Sequence, residues 1–196
     1  MITVISGPVK AGKSKKLIEY YEQLKDYGAM VFSSKFSLTH GEDVVSRYGT
    51  SLKAIPINSL FDIPAHIPSD KSVFHILVDE FQFLQMNTGE LKAFFDKYYY
   101  NYDFYLFGLN QDYRRYPFKL IGGAMAMADK IQLLGGYCDI CGQEPSKYSL
   151  RLENGKPAEI DKEGQIILLD GEYNDTKIEY QSICNDCWRK IYKRDV

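Results

Sequence analysis

Short apolar runs alternate with helical stretches along the first two thirds of the chain. Residues 2–5, rich in β-branched side chains, predict a strand, and 7–14 break the run with glycine, proline and small residues, so the strand leads into a loop. Over 14–27, Leu17, Ile18, Tyr21 and Leu24 recur at helical spacing opposite Lys15, Lys16, Glu19, Glu22 and Lys25. Further strands are predicted over 30–33, 53–57, 72–78 and 104–107, with a helix over 88–99 between the last two. Strands alternating with helices predict an α/β fold with a mostly parallel sheet, whose last strand falls at 129–134. Gly135-Gly136 then opens a second unit, in which strands over 165–169 and 178–183 flank the polar turn 170–175 as a hairpin.

Composition narrows the class. At 196 residues and 45% hydrophobic, the chain can bury a proper core, so disorder is not expected. A formal net charge of -2, with both signs interspersed, gives no basic stripe for nucleic acid. The start lacks the basic and apolar regions of a leader, and no apolar run nears the length that spans a bilayer. The expectation is a soluble cytoplasmic protein that binds neither nucleic acid nor membrane.

All four cysteines fall into two C-x-x-C pairs, Cys138/Cys141 and Cys184/Cys187. That spacing turns the two thiolates of a knuckle toward one ion, which suits structural Zn²⁺ in a tetrahedral site. A pair of disulfides is the rival reading, and it requires an oxidising compartment that nothing in the sequence indicates. The 42 residues between the pairs, 142–183, exceed the usual zinc-ribbon insert, so a sizeable loop projects from the site.

Gly7-Pro8-Val9-Lys10-Ala11-Gly12-Lys13-Ser14 matches G-x-x-x-x-G-K-[ST] between a predicted strand and a predicted helix, the context that motif requires. Its backbone N–H groups can wrap phosphates, Lys13 can reach the β- and γ-phosphates of ATP, and Ser14 can offer a hydroxyl to Mg²⁺. A second acidic element appears at 74–80, where an apolar strand ends in Asp79-Glu80. Asp79 is expected at the Mg²⁺, and Glu80 is left to take a proton from an attacking hydroxyl or water. Two classes compete. Asp79-Glu80-Phe81-Gln82 resembles the D-E-x-Q box of helicases, which would make the chain an ATPase motor. Such a motor needs a second α/β domain, and the remaining length is taken by the cysteine unit, which favours a small-molecule kinase.

The ordered motifs resemble those of the type II thymidine kinases over nearly the whole chain. Gly7 to Ser14 is similar to the family P-loop, Asp79-Glu80-Phe81-Gln82 to its D-E-x-Q-F box, and 108–118 to its G-L-x-x-D-F-x-x-x-P-F segment. Ala128-Asp129-Lys130 then precedes C-x-x-C-G, and Tyr180 stands four residues ahead of the second pair. The resemblance implies a RecA-like P-loop core over 1–134 and a small zinc-binding domain over 135–196 carrying a lasso loop. It implies transfer of the ATP γ-phosphoryl group to the 5′-hydroxyl of thymidine or a related pyrimidine deoxynucleoside, with Glu80 as general base. Gly7 to Ser14, Asp79 and Gln82 would serve ATP and Mg²⁺. Leu109, Tyr113, Phe118, Ser149, Leu168, Leu169, Asp170, Gly171 and Tyr180 would serve the nucleoside, with Val9 from the P-loop. A homo-oligomer, possibly a tetramer, is implied as well.

The departures are specific. The family's K-P-x-x-D-x-R segment has no counterpart at 33–43, so Lys35, Arg114 or Arg115 substitutes or turnover is weaker; a degenerate nucleotide-binding member is the further alternative. Tyr113 stands where the family has Phe, the lasso run before Tyr180 is longer and more polar, and Lys10 holds a position that is usually aromatic. His40, His66 and His75 are expected to be solvated or structural, and the tyrosines at 98–100 with Tyr102 to be a buried helix end.

Overall fold

The computed structural model describes residues 1–37, 43–45, 51–70, 72–143, 145–160 and 169–192, which form two compact units. The first comprises Met1–Ser6, Lys13–Leu109 and Phe118–Leu133. Its strands are β1 (Ile2–Ser6), β2 (Ala29–Ser34), β3 (Asp43–Val45), β4 (Ser51–Lys53), β5 (Ile55–Ile57), β6 (His75–Asp79), β7 (Asp103–Gly108) and β8 (Lys130–Leu133). Six of them form one sheet in the order β5-β2-β6-β7-β1-β8, with every neighbouring pair parallel. Helices α1 (Lys13–Leu24), α2 (Thr88–Tyr98) and α3 (Lys119–Met127) complete the unit.

All five residues of β1 are buried because helical crossovers cover both faces of a parallel sheet. The core joins Ile2, Val4, Phe32, Val78, Phe81, Phe104 and Leu106 to Leu91, Phe94 and Phe95 of α2. Asn87 starts α2 with a capping box, accepting hydrogen bonds from the Gly89 and Glu90 N–H groups while Glu90 accepts one from the Asn87 N–H. The register sets Ser6 beside Gly108 and Ser33 beside Asp79, so the carboxyl ends of four strands form one polar edge. Open α/β sheets bind ligands at that edge.

The second unit comprises Gly7–Gly12, Asn110–Pro117 and, over its described residues, Leu134–Val196. It has an antiparallel sheet of β9 (Tyr148–Glu153), β10 (Lys156–Pro157), β11 (Gly171–Tyr173) and β12 (Thr176–Ile183), in the order β10-β9-β12-β11, and one helix, α4 (Asn185–Tyr192). Tyr113, Leu150, Ala158, Ile160, Ile183 and Trp188 make its core, with Cys138 and Cys187.

The parallel sheet and the strands over 2–5, 30–33, 104–107 and 129–134 match the sequence reading, as do the helices over 14–27 and 88–99. Three expectations need correction. The strand over 53–57 is two strands, because Ala54 ends β4, which pairs with β3, and β5 joins the large sheet. The hairpin turn lies at Asn174-Asp175, both in the left-handed region, so β11 occupies part of the expected turn; 165–168 lies outside the described residues. Tyr100 is 94% exposed, while Tyr98, Tyr99 and Tyr102 pack against the core. His66 is exposed and stacks near Phe32, His75 stands 3.6 Å from Asp103, and His40 lies outside the described residues.

Candidate active site and metal centre

In the first unit, Lys13 and Ser14 open α1, directly after the glycine-rich loop, so Lys13 is the helix's first residue. Its side chain is buried. Asp79 ends β6, only 5% exposed. Burial pushes its carboxyl above the usual range, the charge of Glu80 adds to this, and the Glu80 backbone N–H and the charge of Lys13 oppose it. A buried carboxyl of this kind and a hydroxyl at the start of a helix are hard oxygen donors, the set that suits Mg²⁺.

Glu80 follows with φ 49° and ψ 37°, a left-handed conformation rare for a residue with a β-carbon. Gln82, in the 3-10 turn Phe81–Phe83, donates from Nε2 to Glu80 Oε2 at 2.5 Å and accepts at Oε1 from the Leu109 N–H at 3.0 Å. Gly108 makes this possible, since a β-carbon there would lie 2.4 Å from Gln82 Oε1. The structure thus brings together Asp79, Glu80, Gln82, Lys13 and Leu109, all within this unit. Phe118 precedes α3 and packs edge-on against Phe83, 5.8 Å between ring centroids. Lys35 is exposed, its backbone N–H donating to the Ile57 carbonyl.

In the second unit, the loop Gly7–Gly12 is tied down at successive residues. The Val9 N–H donates to Ser149 Oγ at 3.1 Å, and Lys10 Nζ pairs with Asp139 at 2.9 Å. Lys10 holds φ 62° and Gly12 φ 85°, and at Gly12 only glycine does so without strain. Asp139 lies between the cysteines of the first knuckle and accepts from the Ser182 N–H, which gives Lys10 a physical role that the sequence did not reveal.

Asp112 organises the loop 110–117, accepting from the backbone N–H groups of Arg114 and Tyr116 and from Nε and Nη2 of Arg114. Tyr113 is buried, and among the described residues its hydroxyl has no hydrogen-bond partner. The Arg151 guanidinium lies 5.2 Å from its ring centroid and pairs with Glu153 at 2.8 Å. Burial raises the Tyr113 and Tyr180 phenols, and the charge of Arg151 pulls both back. Tyr113, Arg151 and Tyr180 are therefore one cluster. Arg115 stacks over Tyr148 and Trp188, at 4.6 Å and 4.7 Å. Of the expected lasso residues, Asp170 accepts from the Tyr180 N–H, Gly171 opens β11, Leu169 precedes both, and Leu168 lies outside the described residues.

Arg151 is a buried cation that sequence reasoning did not single out. Its signal was the alternation of 148–153, where Tyr148, Leu150 and Leu152 share one face and Ser149 and Arg151 the other.

The four cysteine Sγ atoms lie within 4.8 Å of one another, with Cys141 and Cys184 at 3.7 Å. A tetrahedral zinc site with Zn–S bonds of about 2.3 Å has S–S edges of about 3.8 Å, so the cluster fits the ion. No disulfide joins them. Two turns aim the thiols: the Gly142 N–H donates to the Cys138 carbonyl, and the Cys187 N–H, in α4, donates to Cys184 Sγ. Burial opposes ionisation at Cys138, but the backbone N–H groups of Cys141, Cys184 and Ile140 outweigh it and draw the thiol down to about 6. Burial and the neighbouring thiols push Cys187 up to about 12, and a divalent cation at the centre would let all four ionise. These thiolates would hold zinc in a closed structural role.

Among the described residues no helix is long and apolar enough to cross a membrane. A family model described as "Thymidine kinase" matches residues 1–188. The P-loop, the acidic pair at the strand end and the four-cysteine cluster all fall within that match, and the chain belongs to the thymidine kinase family of ATP-dependent kinases.

Proposed function

We propose that this chain phosphorylates the 5′-hydroxyl of thymidine, or of a closely related pyrimidine deoxynucleoside, giving the 5′-monophosphate and ADP. The observation that carries the reading is Glu80, held by Gln82 immediately after the buried Asp79, at the edge where parallel strands present ligands. The nucleoside oxygen bonds to the γ-phosphorus as the bond from that phosphorus to the β,γ-bridging oxygen breaks. Glu80 takes the hydroxyl proton. Lys13 balances charge on the phosphates and on Asp79, and the backbone N–H groups of Gly7 to Gly12 hold the phosphate chain. Ser14 and Asp79 would hold Mg²⁺, which neutralises the phosphate oxygens.

Leu109, Tyr113, Phe118, Ser149, Leu169, Asp170, Gly171 and Tyr180 are assigned to the nucleoside in this reading, with Leu168 outside the described residues. Tyr113 and Tyr180 bring aromatic surface, and Arg151 beside them supplies a buried cation. The same reading treats 1–134 as the nucleotide-binding domain and 135–196 as the zinc-binding lasso domain. It makes the protein a cytoplasmic homo-oligomer, with a tetramer among the assemblies that light scattering after size exclusion distinguishes.

The functional test is ADP release from Mg-ATP by zinc-loaded protein, with thymidine, deoxyuridine, deoxycytidine, a purine deoxynucleoside and single-stranded DNA added separately. Stimulation by thymidine or deoxyuridine alone supports the kinase and ranks the bases. Stimulation by DNA, or release independent of any nucleoside, would instead make the chain an ATPase.

A further inference from the structure

Gln82 is 7% exposed, and both ends of its amide are engaged at once. A carboxylate only accepts and a backbone N–H only donates, so the bridge works in one orientation: Nε2 toward Glu80 and Oε1 toward Leu109. Turning the amide over would set acceptor against acceptor and donor against donor. Gly108 leaves the room that this orientation needs, since a β-carbon there would lie 2.4 Å from Oε1. Glu80 meanwhile keeps a left-handed backbone, which persists at a residue with a β-carbon only where surrounding contacts fix it.

We propose that Gln82 is a positioning residue for phosphoryl transfer, which ties Glu80 Oε2 to the backbone at the end of β7 and leaves Oε1 to receive the hydroxyl proton. The proposal rests on the reading of Glu80 as the base. It departs from the sequence expectation that Gln82 serves ATP and Mg²⁺ directly. The bridge joins the ends of two adjacent strands, β6 and β7, so the carboxylate inherits the rigidity of the sheet. A base held in this way begins each turnover already oriented, the condition on which proximity effects depend.

The test compares full-length, zinc-loaded wild type with Gln82→Met, Gly108→Ala, Glu80→Gln and the double variant Glu80→Gln with Gln82→Met. Methionine keeps the length and packing of the side chain without its hydrogen bonds, and Gly108→Ala displaces the amide without altering Gln82. The readouts are kcat, KM for thymidine and the dissociation constant for Mg-ATP. Gln82→Met should lower kcat by about 10- to 100-fold and leave the ATP dissociation constant within about twofold. Gly108→Ala should lower kcat in the same direction. In the Glu80→Gln background, Gln82→Met should change kcat by less than about twofold, because two residues acting through one group are not additive.

Wild-type kcat in Gln82→Met, with Glu80→Gln impaired, overturns the positioning role and leaves the base reading standing. Loss of ATP affinity by about tenfold, or an undiminished effect in the Glu80→Gln background, places Gln82 on the nucleotide instead. Near wild-type activity in Glu80→Gln overturns the base reading and this proposal with it.

Discussion

The two units hold their chemistry in place by different means. In the first, strands buried on both faces carry Asp79, Glu80 and Gly108 to one sheet edge, and the hydrophobic core fixes that edge. In the second, a small antiparallel sheet, two knuckle turns and four thiols converge on a point where an ion would replace much of the missing core. Reactive groups placed by a sheet need little local support beyond a bridge such as Gln82. Groups placed by loops need several: Val9 leans on Ser149, Lys10 on Asp139, and Asp112 gathers its own loop.

Removing the metal should separate the units most sharply. The one tryptophan, Trp188, is 2% exposed in the core of the second unit, so its emission reports on that unit alone. Structural zinc contributes on the order of 10 kcal/mol to small domains, so chelation, or Cys187→Ser, should red-shift Trp188 emission. The circular-dichroism signal of the parallel sheet should survive. Simultaneous loss of both would show that the first unit also depends on zinc.

At the sheet edge, Glu80→Gln should cut kcat by about 10²- to 10⁴-fold with little change in ATP affinity. An unchanged kcat would remove Glu80 from the chemistry.

Asp79 adds a pH dependence of intermediate size. Burial first, then the charge of Glu80, raises its carboxyl to about 7 in the folded protein, well above its value in the unfolded chain. A raised acid binds its proton more tightly when folded, so its contribution favours the folded state at acid pH and is lost as pH rises through about 7. Unfolding curves of the nucleotide-free protein between pH 5 and 8 should show that decline, and Asp79→Asn should flatten it. Because Mg²⁺ must displace the same proton, Mg-ATP affinity should rise over the same interval.

The smaller effects belong to the second unit. Tyr113→Phe removes a buried hydroxyl without a partner among the described residues and should leave thermal stability unchanged or raise it by about 1 kcal/mol. Lys10→Ala, which breaks a partly exposed ion pair, should cost about 1 kcal/mol or less. A larger loss at Lys10 would give the Asp139 contact a weight beyond its electrostatics.

Local signals made most of the first unit readable before folding. The strand, loop and helix over 2–24 carry their own punctuation, and an apolar run ending in Asp79-Glu80 declares a strand edge without tertiary information. The cysteine spacing did the same for the metal centre, because two residues between thiols nearly dictate a knuckle. Helix α3 was less legible: Gly122 and Gly123 weaken its propensity, and Gly123 is there because a β-carbon would meet Thr88 of α2 at 2.8 Å. Strand β9 had a signal that went unread, since Asn154-Gly155, both at positive φ, make the two-residue turn into β10. The bridge through Gln82 was beyond reach, because it joins residues 27 apart through a contact that only the strand register creates.

The most direct measurement follows both products of one turnover, ADP and nucleoside monophosphate, by chromatography of wild type and Glu80→Gln with thymidine and Mg-ATP. Equal amounts of ADP and thymidine 5′-monophosphate are expected from the wild type, and a loss of both from the variant while ATP binding is retained. ADP without the monophosphate, or equal monophosphate from the two proteins, would contradict the reading of a kinase with Glu80 as its base.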